Sequence, residues 1–295
     1  MAKDLIIGGA SGYNWNQLKY WVKSIKNTGF KGDIVVVATD ITKETLDKLT
    51  SEGVIVLGYG KQLEDRFVKN SKLAPHVERF IYIWEYLERN KGNYRFVTVT
   101  DTRDVIFQKD PTEFLLRKLG SSDFKSIVCA AEGLNYEHEP WGRQNMKETF
   151  GEFFYEKFKE YPICNVGTIA GFYTDIKDLI LLLFQLSINR TIPIVDQAVF
   201  NFIINLEPYQ DCIIVTTNDD DWAVQLACSL AAIKSGSGDI GAVGDLESYK
   251  ENYQFQQPII NGTKVSNNYR EYTIVHQWDR IPFLKEKIEA QYAND

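Results

Sequence analysis

Between Tyr94 and Pro111 the chain reads YRFVTVTDTRDVIFQKDP. An apolar run with β-branched residues breaks into two carboxylates, Asp101 and Asp104, on either side of Arg103, then turns apolar again and stops at Asp110-Pro111. Such a run predicts a strand that ends at the first carboxylate. In parallel sheets, ligands gather outside the carboxyl ends of strands, so these aspartates stand where a ligand is expected. Carboxylate oxygens are hard donors, and a pair of them suits Mn²⁺ or Mg²⁺ better than zinc; such a cation in turn suits a diphosphate. The same residues also fit a solvated Asp/Arg turn that closes the strand, and spacing alone does not separate the two readings.

Other carboxylates are expected at the same sheet edge. Glu132 ends the apolar run IVCAAEG, and Asp196 opens DQAVFNF. Either has the chemistry of a general base, and Asp196 equally fits a carboxylate favoured by the dipole at a helix start. Asp219, Asp220 and Asp221 are adjacent at a predicted strand exit and read as a solvated loop rather than a second metal cluster. There are three histidines. His76 and His138 lie in helical and loop contexts without an acidic partner at ligand spacing and read as structural, while His276 ends the last predicted strand, EYTIVHQWDR.

The elements that must hold these residues follow a simple alternation. DLIIGG at 4–9 predicts a strand, WNQLKYWVKSIKNTG a helix stopped at Gly29, GDIVVVATD a strand, TKETLDKLTSEG a helix and VIVLGY a strand: a βαβαβ unit. A long helix over APHVERFIYIWEYLERN, with Phe80, Trp84 and Leu87 as its core stripe, precedes the acidic strand, and SIVCAAEG at 126–133 follows as another strand. YPICNVGTIAGFYTDIKDLILLLFQL reads as a strand pair or turn leading into an apolar helix, PIVDQAVFNFIINL as a helix opened by its proline, and DCIIVTTNDDD as a strand. KSGSGDIGAVGDLES at 234–248 reads as a flexible loop. The whole predicts an α/β fold with a mostly parallel central sheet flanked by helices, in one domain over residues 1–295.

Composition bounds the function. With 44% hydrophobic and 13% aromatic residues, the 295-residue chain can bury a sizeable core. A net charge of -7 argues against nucleic acid as a partner, since phosphate backbones are held by Lys and Arg. An anionic ligand would then need local help, such as a metal ion. The longest compact apolar run, LILLLFQL at 179–186, falls short of the roughly 20 residues of a membrane span. No signal-peptide pattern opens the sequence, and cytoplasmic is the default expectation. Cys129, Cys164, Cys212 and Cys228 are scattered singly and read as buried reduced thiols.

Taken with what lies downstream, TDTRDVIFQKDP resembles the acidic signature of the metal-dependent GT-A glycosyltransferases, in which a D-x-D motif ends a strand and Asp-Pro follows soon after. The aspartates here are three apart. Counting back from Asp110-Pro111, Asp104 takes the place of the second family aspartate, Thr102 stands at the first, and Asp101 is one position earlier. CNVGTIAGFY resembles the family's Asn-x-Gly segment, VDQAVFN the Asp-Gln at a helix start in glycogenin-like enzymes, and VHQWDR the C-terminal histidine that completes the metal site.

The resemblance implies Asp101, Asp104 and His276 as ligands of Mn²⁺ or Mg²⁺, with a UDP- or GDP-sugar as donor and a hydroxyl acceptor such as a glycan. It assigns the nucleotide to the loop GGASGYNW, with Gly8 and Gly9 admitting close approach, Ser11 hydrogen bonding and Tyr13 stacking on the base. The competing reading of this loop is a plain strand-to-helix turn with Asn14 or Asn16 as cap. Arg79 would face the nucleotide, or else pair with Glu78 or Glu85 at the surface. Asn165 and Gly167 would form the sugar side, with Asp196 and Glu132 as catalytic carboxylates. A nucleotide-binding half over about 1–110 and an acceptor half over about 111–295 follow, with retaining chemistry favoured. Two alternatives remain: a nucleotide-sugar-binding protein of the same fold without turnover, and a nucleotidyltransferase, which the lack of a Gly-rich Thr-Arg loop disfavours.

Overall fold

Alternating strands and helices fill the chain in the computed structural model, which describes residues 2–63, 65–69, 71–121, 124–190, 192–236 and 246–293. The first part runs β1 (Lys3–Ser11), α1 (Trp15–Asn27), β2 (Asp33–Thr39), β3 (Ile41–Thr42), α2 (Lys43–Ser51), β4 (Ile55–Gly58), β5 (Lys61–Gln62), β6 (Arg66–Val68), α3 (Pro75–Arg89) and β7 (Tyr94–Thr100). It continues through β8 (Val105–Phe107), α4 (Pro111–Leu119), β9 (Ile127–Asn135), α5 (Pro140–Phe150), α6 (Glu152–Phe158), β10 (Pro162–Phe172), α7 (Tyr173–Ser187) and α8 (Asp196–Ile204). The remaining strands are β11 (Ile213–Thr216), β12 (Ala223–Gln225), the hairpin β13 (Ile259–Asn261) and β14 (Lys264–Ser266), and β15 (Ile274–His276).

Seven strands form the central sheet in the order β11-β9-β10-β7-β1-β2-β4. Neighbours are parallel except at β10, which runs antiparallel to both β7 and β9. The sheet is buried on both faces, as its unbroken apolar strands require. Leu5 and Ile7 of β1 pack on one side with Phe80, Ile83 and Leu87 of α3 and with α7, while Ile6 and Ala10 pack on the other with Trp21 and Val22 of α1. Trp84 is partly buried against the first of these cores.

Local chemistry sets the element ends near the site. Asn14 starts α1 through a reciprocal capping box: Gln17 N donates to its Oδ1 at 3.2 Å, and its own N–H donates to Gln17 Oε1 at 3.0 Å. Asp110 caps α4, accepting from Thr112 N at 2.8 Å, with Pro111 at the first helical turn. Asp-Pro is thus a helix start that limits the apolar stretch after the aspartates to the three residues of β8.

Where a strand pair or turn is expected ahead of the apolar helix, residues 162–172 form one long strand whose pairing with β9 shifts register between Asn165 and Ala170. Helix α8 begins at Asp196 rather than at Pro193, which lies upstream of it. Of the loop expected over 234–248, residues 237–245 lie outside the described residues, and Leu246–Asn252 is helical. Cys129 and Cys164 are buried, whereas Cys212 and Cys228 are only partly so, and all four are free thiols. Among the described residues, no helix is long and apolar enough to cross a membrane.

Candidate active site

A small second sheet assembles the centre of the site. β8, which follows Asp104 directly, pairs antiparallel with β15, and β15 pairs parallel with β12, so that His276 lies opposite Val105 on one side and Gln225 on the other. The Gln277 N–H donates to the Asp104 carbonyl at 2.6 Å and fixes the join. Asp101 N–H donates to the Gly167 carbonyl at 3.1 Å, tying the end of β7 to β10. The result is convergence of residues 101, 104 and 276: one potential ligand atom from each of Asp101, Asp104 and His276 lies within 4.8 Å of the others.

The histidine is held in one orientation. Its Nδ1 is 2.6 Å from Gln225 Oε1, and Gln225 Nε2 donates to Thr168 Oγ1 at 3.1 Å. That leaves the glutamine oxygen as acceptor and Nδ1 as the protonated nitrogen. Nε2 is buried, makes no hydrogen bond, and faces Asp101 Oδ2 at 3.4 Å and Asp104 Oδ1 at 3.6 Å. Burial pushes the imidazole towards neutrality, but Asp104 and Asp101 outweigh it and raise the pKa to about 10. Conversely, burial pushes Asp101 up, and Arg79 with His276 more than reverses that, holding it well below the ordinary carboxylate range. Asp104 is lowered on balance in the same way, with His276 offsetting the effect of burial. The two ionised carboxylates favour a positive charge at Nε2, and a divalent cation taking the place of that proton would meet a mixed oxygen and nitrogen ligand set.

Thr102 is turned away from this centre. Its Oγ1 donates to the Gly9 carbonyl at 2.8 Å, and its Cγ2 occupies the space above Gly8, where a Cβ would lie 2.4 Å from it. Asp101, rather than Thr102, is the side chain that lies with Asp104 and His276. Gly8 accordingly has a packing role and does not line the cleft, contrary to its expected place beside a nucleotide. Gly167 likewise makes room: a Cβ there would lie 2.6 Å from Asp101 Oδ2 and 2.9 Å from His276 Cε1.

Arg79 borders the cleft, but the surface pairing with Glu78 or Glu85 is not what the structure has. The guanidinium bridges Asp101 through Nη1 and Asp196 through Nη2, the latter at 3.1 Å. Asp196, 3% exposed at the start of α8, has its pKa raised by burial, an effect that Arg79 and then His76 reduce. Glu132 accepts from Asn165 Nδ2 at 2.8 Å, and Asn165 Oδ1 accepts from Gly167 N at 2.7 Å. These contacts join the second carboxylate to the glycine under the triad.

All of this opens into one cleft of about 770 Å³ along the carboxyl end of the sheet. Gly9, Ser11 and Tyr13 line it on the β1 side, with Val37 and Thr39 of β2; Glu132, Asn165 and Asp196 line it beyond the triad. Burial raises the pKa of the Tyr13 phenol, an effect that Arg103 reduces and Asp101 and Asp104 reinforce.

His76, read from sequence as structural, also borders the cleft, as do Arg103, Glu139, Trp141 and Arg280, none of which the sequence singled out for this place. Arg103 is marked in sequence only by lying between the aspartates, and the others carry no local signal. Outside the cleft, Asp221 is not a solvated residue: it is buried and paired with Arg117 at 2.6 Å and Lys109 at 3.2 Å, while Asp220 pairs with Lys118 at 2.9 Å. His138 lies beside Glu137 at 3.9 Å.

No protein-family model and no curated protein matches the sequence. Solved structures do. The apo structure of WbbM, a bifunctional glycosyltransferase, matches with a TM-score of 0.56 at 13% identity, over 99% of this chain and 50% of that one, so the chain spans about half the length of WbbM. Mouse xyloside xylosyltransferase 1 in its apo form matches at 0.55 and 9% identity, over 96% of this chain and 99% of its own. The galactosyltransferase LgtC, in complex with donor and acceptor sugar analogues, matches at 0.50 and 10% identity, over 97% and 95%. With a mostly parallel α/β sheet shared along nearly its whole length, the chain has the GT-A fold of nucleotide-sugar transferases.

Proposed function

We propose that the protein is a metal-dependent glycosyltransferase that moves a sugar from a UDP- or GDP-sugar to a hydroxyl acceptor. The observation that carries this reading is the Asp101, Asp104 and His276 cluster, with its orphaned Nε2, at the carboxyl end of the central strand of a GT-A sheet. LgtC, whose fold the chain shares, is described with bound donor and acceptor sugar analogues.

These three side chains would hold Mn²⁺ or Mg²⁺, and the imidazole favours manganese. Such an ion supplies electrostatic stabilisation to the diphosphate leaving group. The chain's own residues supply the rest. Arg103 and Arg280 border the same part of the cleft and add positive charge where the diphosphate accumulates negative charge. Tyr13, Ser11 and Gly9 on the β1 side are suited to the nucleoside, which assigns donor binding to about residues 1–110 and acceptor binding to about 111–295. In the transfer, the acceptor oxygen bonds to the anomeric carbon as that carbon's bond to the diphosphate oxygen breaks. The electron pair leaves with the diphosphate. The acceptor proton passes to a carboxylate or to the departing phosphate oxygen.

Of the carboxylates that border the cleft beyond the triad, Glu78, Glu132, Glu139 and Asp196, the two assigned to catalysis are Asp196 and Glu132. Both are pinned, Asp196 by Arg79 and Glu132 by Asn165. Pinned carboxylates suit stabilisation of positive charge on the sugar, and with the glycogenin-like Asp-Gln at the head of α8 this favours retention of configuration. A second reading, a nucleotide-sugar-binding protein without turnover, draws on Arg79, whose guanidinium already engages Asp101 and Asp196 together. A panel of UDP- and GDP-sugars, followed by release of nucleoside diphosphate with Mn²⁺ and with chelator, tests the choice. Metal-dependent hydrolysis of one donor is the expected result. Binding without any release would favour the second reading, and no binding at all would refute both.

A further inference from the structure

Helix α3 walls the cleft on the side of β1 and β2 and brings two successive charged residues to it, Glu78 and Arg79. Successive residues lie about 100° apart around a helix, so the two serve different ends. Arg79 reaches the triad, where it engages Asp101 and Asp196. Glu78 turns instead to the chain that follows β6: its Oε2 lies 3.0 Å from Lys69 Nζ. The transfer chemistry leaves this second pair without a role.

The pair is deeply set and held from several elements. Glu78 is 2% exposed, and the Lys69 side chain 13%. The Tyr82 hydroxyl donates to Glu78 Oε1 at 2.7 Å, and the Tyr82 ring is itself stacked on Tyr59 with centroids 3.9 Å apart. The Lys69 backbone N–H donates to Asp40 Oδ1 at 2.7 Å, just past the Thr39 end of β2, and its ammonium donates to the Leu73 carbonyl. Glu78 Oε2, for all its closeness to the ammonium, accepts no hydrogen bond. A tie that served only to fasten this chain to α3 would need no place on the cleft and would satisfy both oxygens. Glu78 lines the cleft, and one oxygen keeps its capacity to accept.

From this we infer that Lys69 and Glu78 read the base of the nucleotide, and that the base they select is guanine. The pair offers, in order, a donor at Lys69 Nζ, an acceptor at Glu78 Oε2 and an acceptor at Glu78 Oε1. The Watson–Crick edge of guanine offers the complement: the O6 acceptor, the N1–H donor and the N2–H donor. Uracil presents an acceptor, a donor and a second acceptor, so one of its carbonyls would meet a carboxylate oxygen. Adenine and cytosine each place a ring-nitrogen acceptor where N1–H is needed. A buried site built to hydrogen bond one edge rejects an edge that leaves its groups unpaired. The carboxylate also repels phosphate, which keeps the diphosphate towards Arg103, Arg280 and the triad. The inference rests on the transferase reading and extends it by naming the base of the donor.

Calorimetric titration in Mn²⁺ tests it without turnover. The probes for the wild type are GDP, UDP, ADP and inosine diphosphate, which keeps O6 and N1–H of guanine and lacks only the 2-amino group. GDP should bind at least roughly ten-fold tighter than UDP and ADP, with inosine diphosphate between them. Glu78→Gln supplies the reciprocal test, because its amide donates where the carboxylate accepts. Xanthosine diphosphate, with a carbonyl in place of the 2-amino group, should gain at least roughly ten-fold on GDP in this variant. A purely structural pair would weaken all nucleotides alike.

UDP or ADP bound by the wild type as tightly as GDP overturns the inference and leaves the transferase reading standing. An unchanged ratio of GDP to xanthosine diphosphate in Glu78→Gln, with melting that shows the variant folded, overturns it as well. Should the variant not fold, the wild-type series decides alone. Binding of no nucleoside diphosphate by the wild type sinks the transferase reading, and the inference with it.

Discussion

Gln225 and His276 are neighbours across two parallel strands, and the 2.6 Å contact from Gln225 Oε1 to His276 Nδ1 leaves Nε2 directed at both aspartates. A hydrogen bond of this kind orients a metal-binding imidazole and raises its basicity, and losing one typically costs 10–100-fold in metal affinity. Gln225→Leu should therefore weaken Mn²⁺ binding by roughly that factor, with stability reduced by about 2 kcal/mol for the two buried hydrogen bonds lost, to His276 and to Thr168. Calorimetric titration with Mn²⁺ measures the first effect. An unchanged affinity would mean that His276 is not a ligand.

Gly167 provides a steric test of the same centre. The nearest atoms to an added methyl are Asp101 Oδ2, Asn165 Oδ1 and His276 Cε1, at 2.6, 2.9 and 2.9 Å, and all belong to residues of the cleft. Gly167→Ala should push the triad apart and abolish metal-dependent nucleotide binding, and its far-UV circular dichroism should stay that of the wild type. Full metal affinity in this variant would show that the triad tolerates a shift it should not.

Arg79 balances two carboxylates, one of them deeply buried. Removing it leaves Asp196 without its cation, a change that typically costs about 3–5 kcal/mol when a buried pair is broken. Arg79→Ala is expected to fall in that range by urea unfolding, and Arg79→Ala/Asp196→Asn to recover part of the loss. If the single variant lost less than about 1 kcal/mol, comparable to a surface pair, the bridge would have no structural weight.

Asp221 predicts a pH dependence away from the cleft. Burial raises its pKa, but hydrogen bonds from Arg117 and Lys109 outweigh that and hold it below the ordinary 3.8. A carboxylate depressed in the folded state contributes stability above its unfolded pKa and loses it as pH falls through the folded value. The stability gap between wild type and Asp221→Asn, measured by urea midpoints, should therefore be widest at neutral pH and narrow below about pH 4. A gap that stayed constant down to pH 3 would show that the pairing does not depend on the carboxylate's charge.

What could be read from the sequence was what local pattern encodes. The βαβαβ unit, the strand before Asp101 and the strand ending at His276 all follow from apolar runs closed by glycine, aspartate or histidine. What could not be read came from pairing between distant segments. Whether Asp101 or Thr102 joins Asp104 is decided by the Thr102 hydroxyl reaching the Gly9 carbonyl, 93 residues away. Gln225 has no signature until β12 pairs with β15, and Trp141 looks like any exposed helix residue until α5 is placed beside the cleft. Arg79 carries a sequence signal, but its partners come from two other segments, and charge spacing along α3 points only to Glu78 and Glu85. The run Asp219 to Asp221 reads as solvated because its cations, on α4 and just before it, are about a hundred residues away in sequence.

On the proposed function, Asp101, Asp104 and His276 hold a divalent cation on which nucleoside diphosphate binding depends. The most direct measurement is calorimetric titration of UDP and of GDP into wild type and Asp104→Ala, each with Mn²⁺ and with chelator. One nucleotide should bind the wild type with Mn²⁺ and at least roughly ten-fold more weakly with chelator, and Asp104→Ala should bind with no response to Mn²⁺. Equal binding by both proteins, with or without the ion, would contradict the assignment.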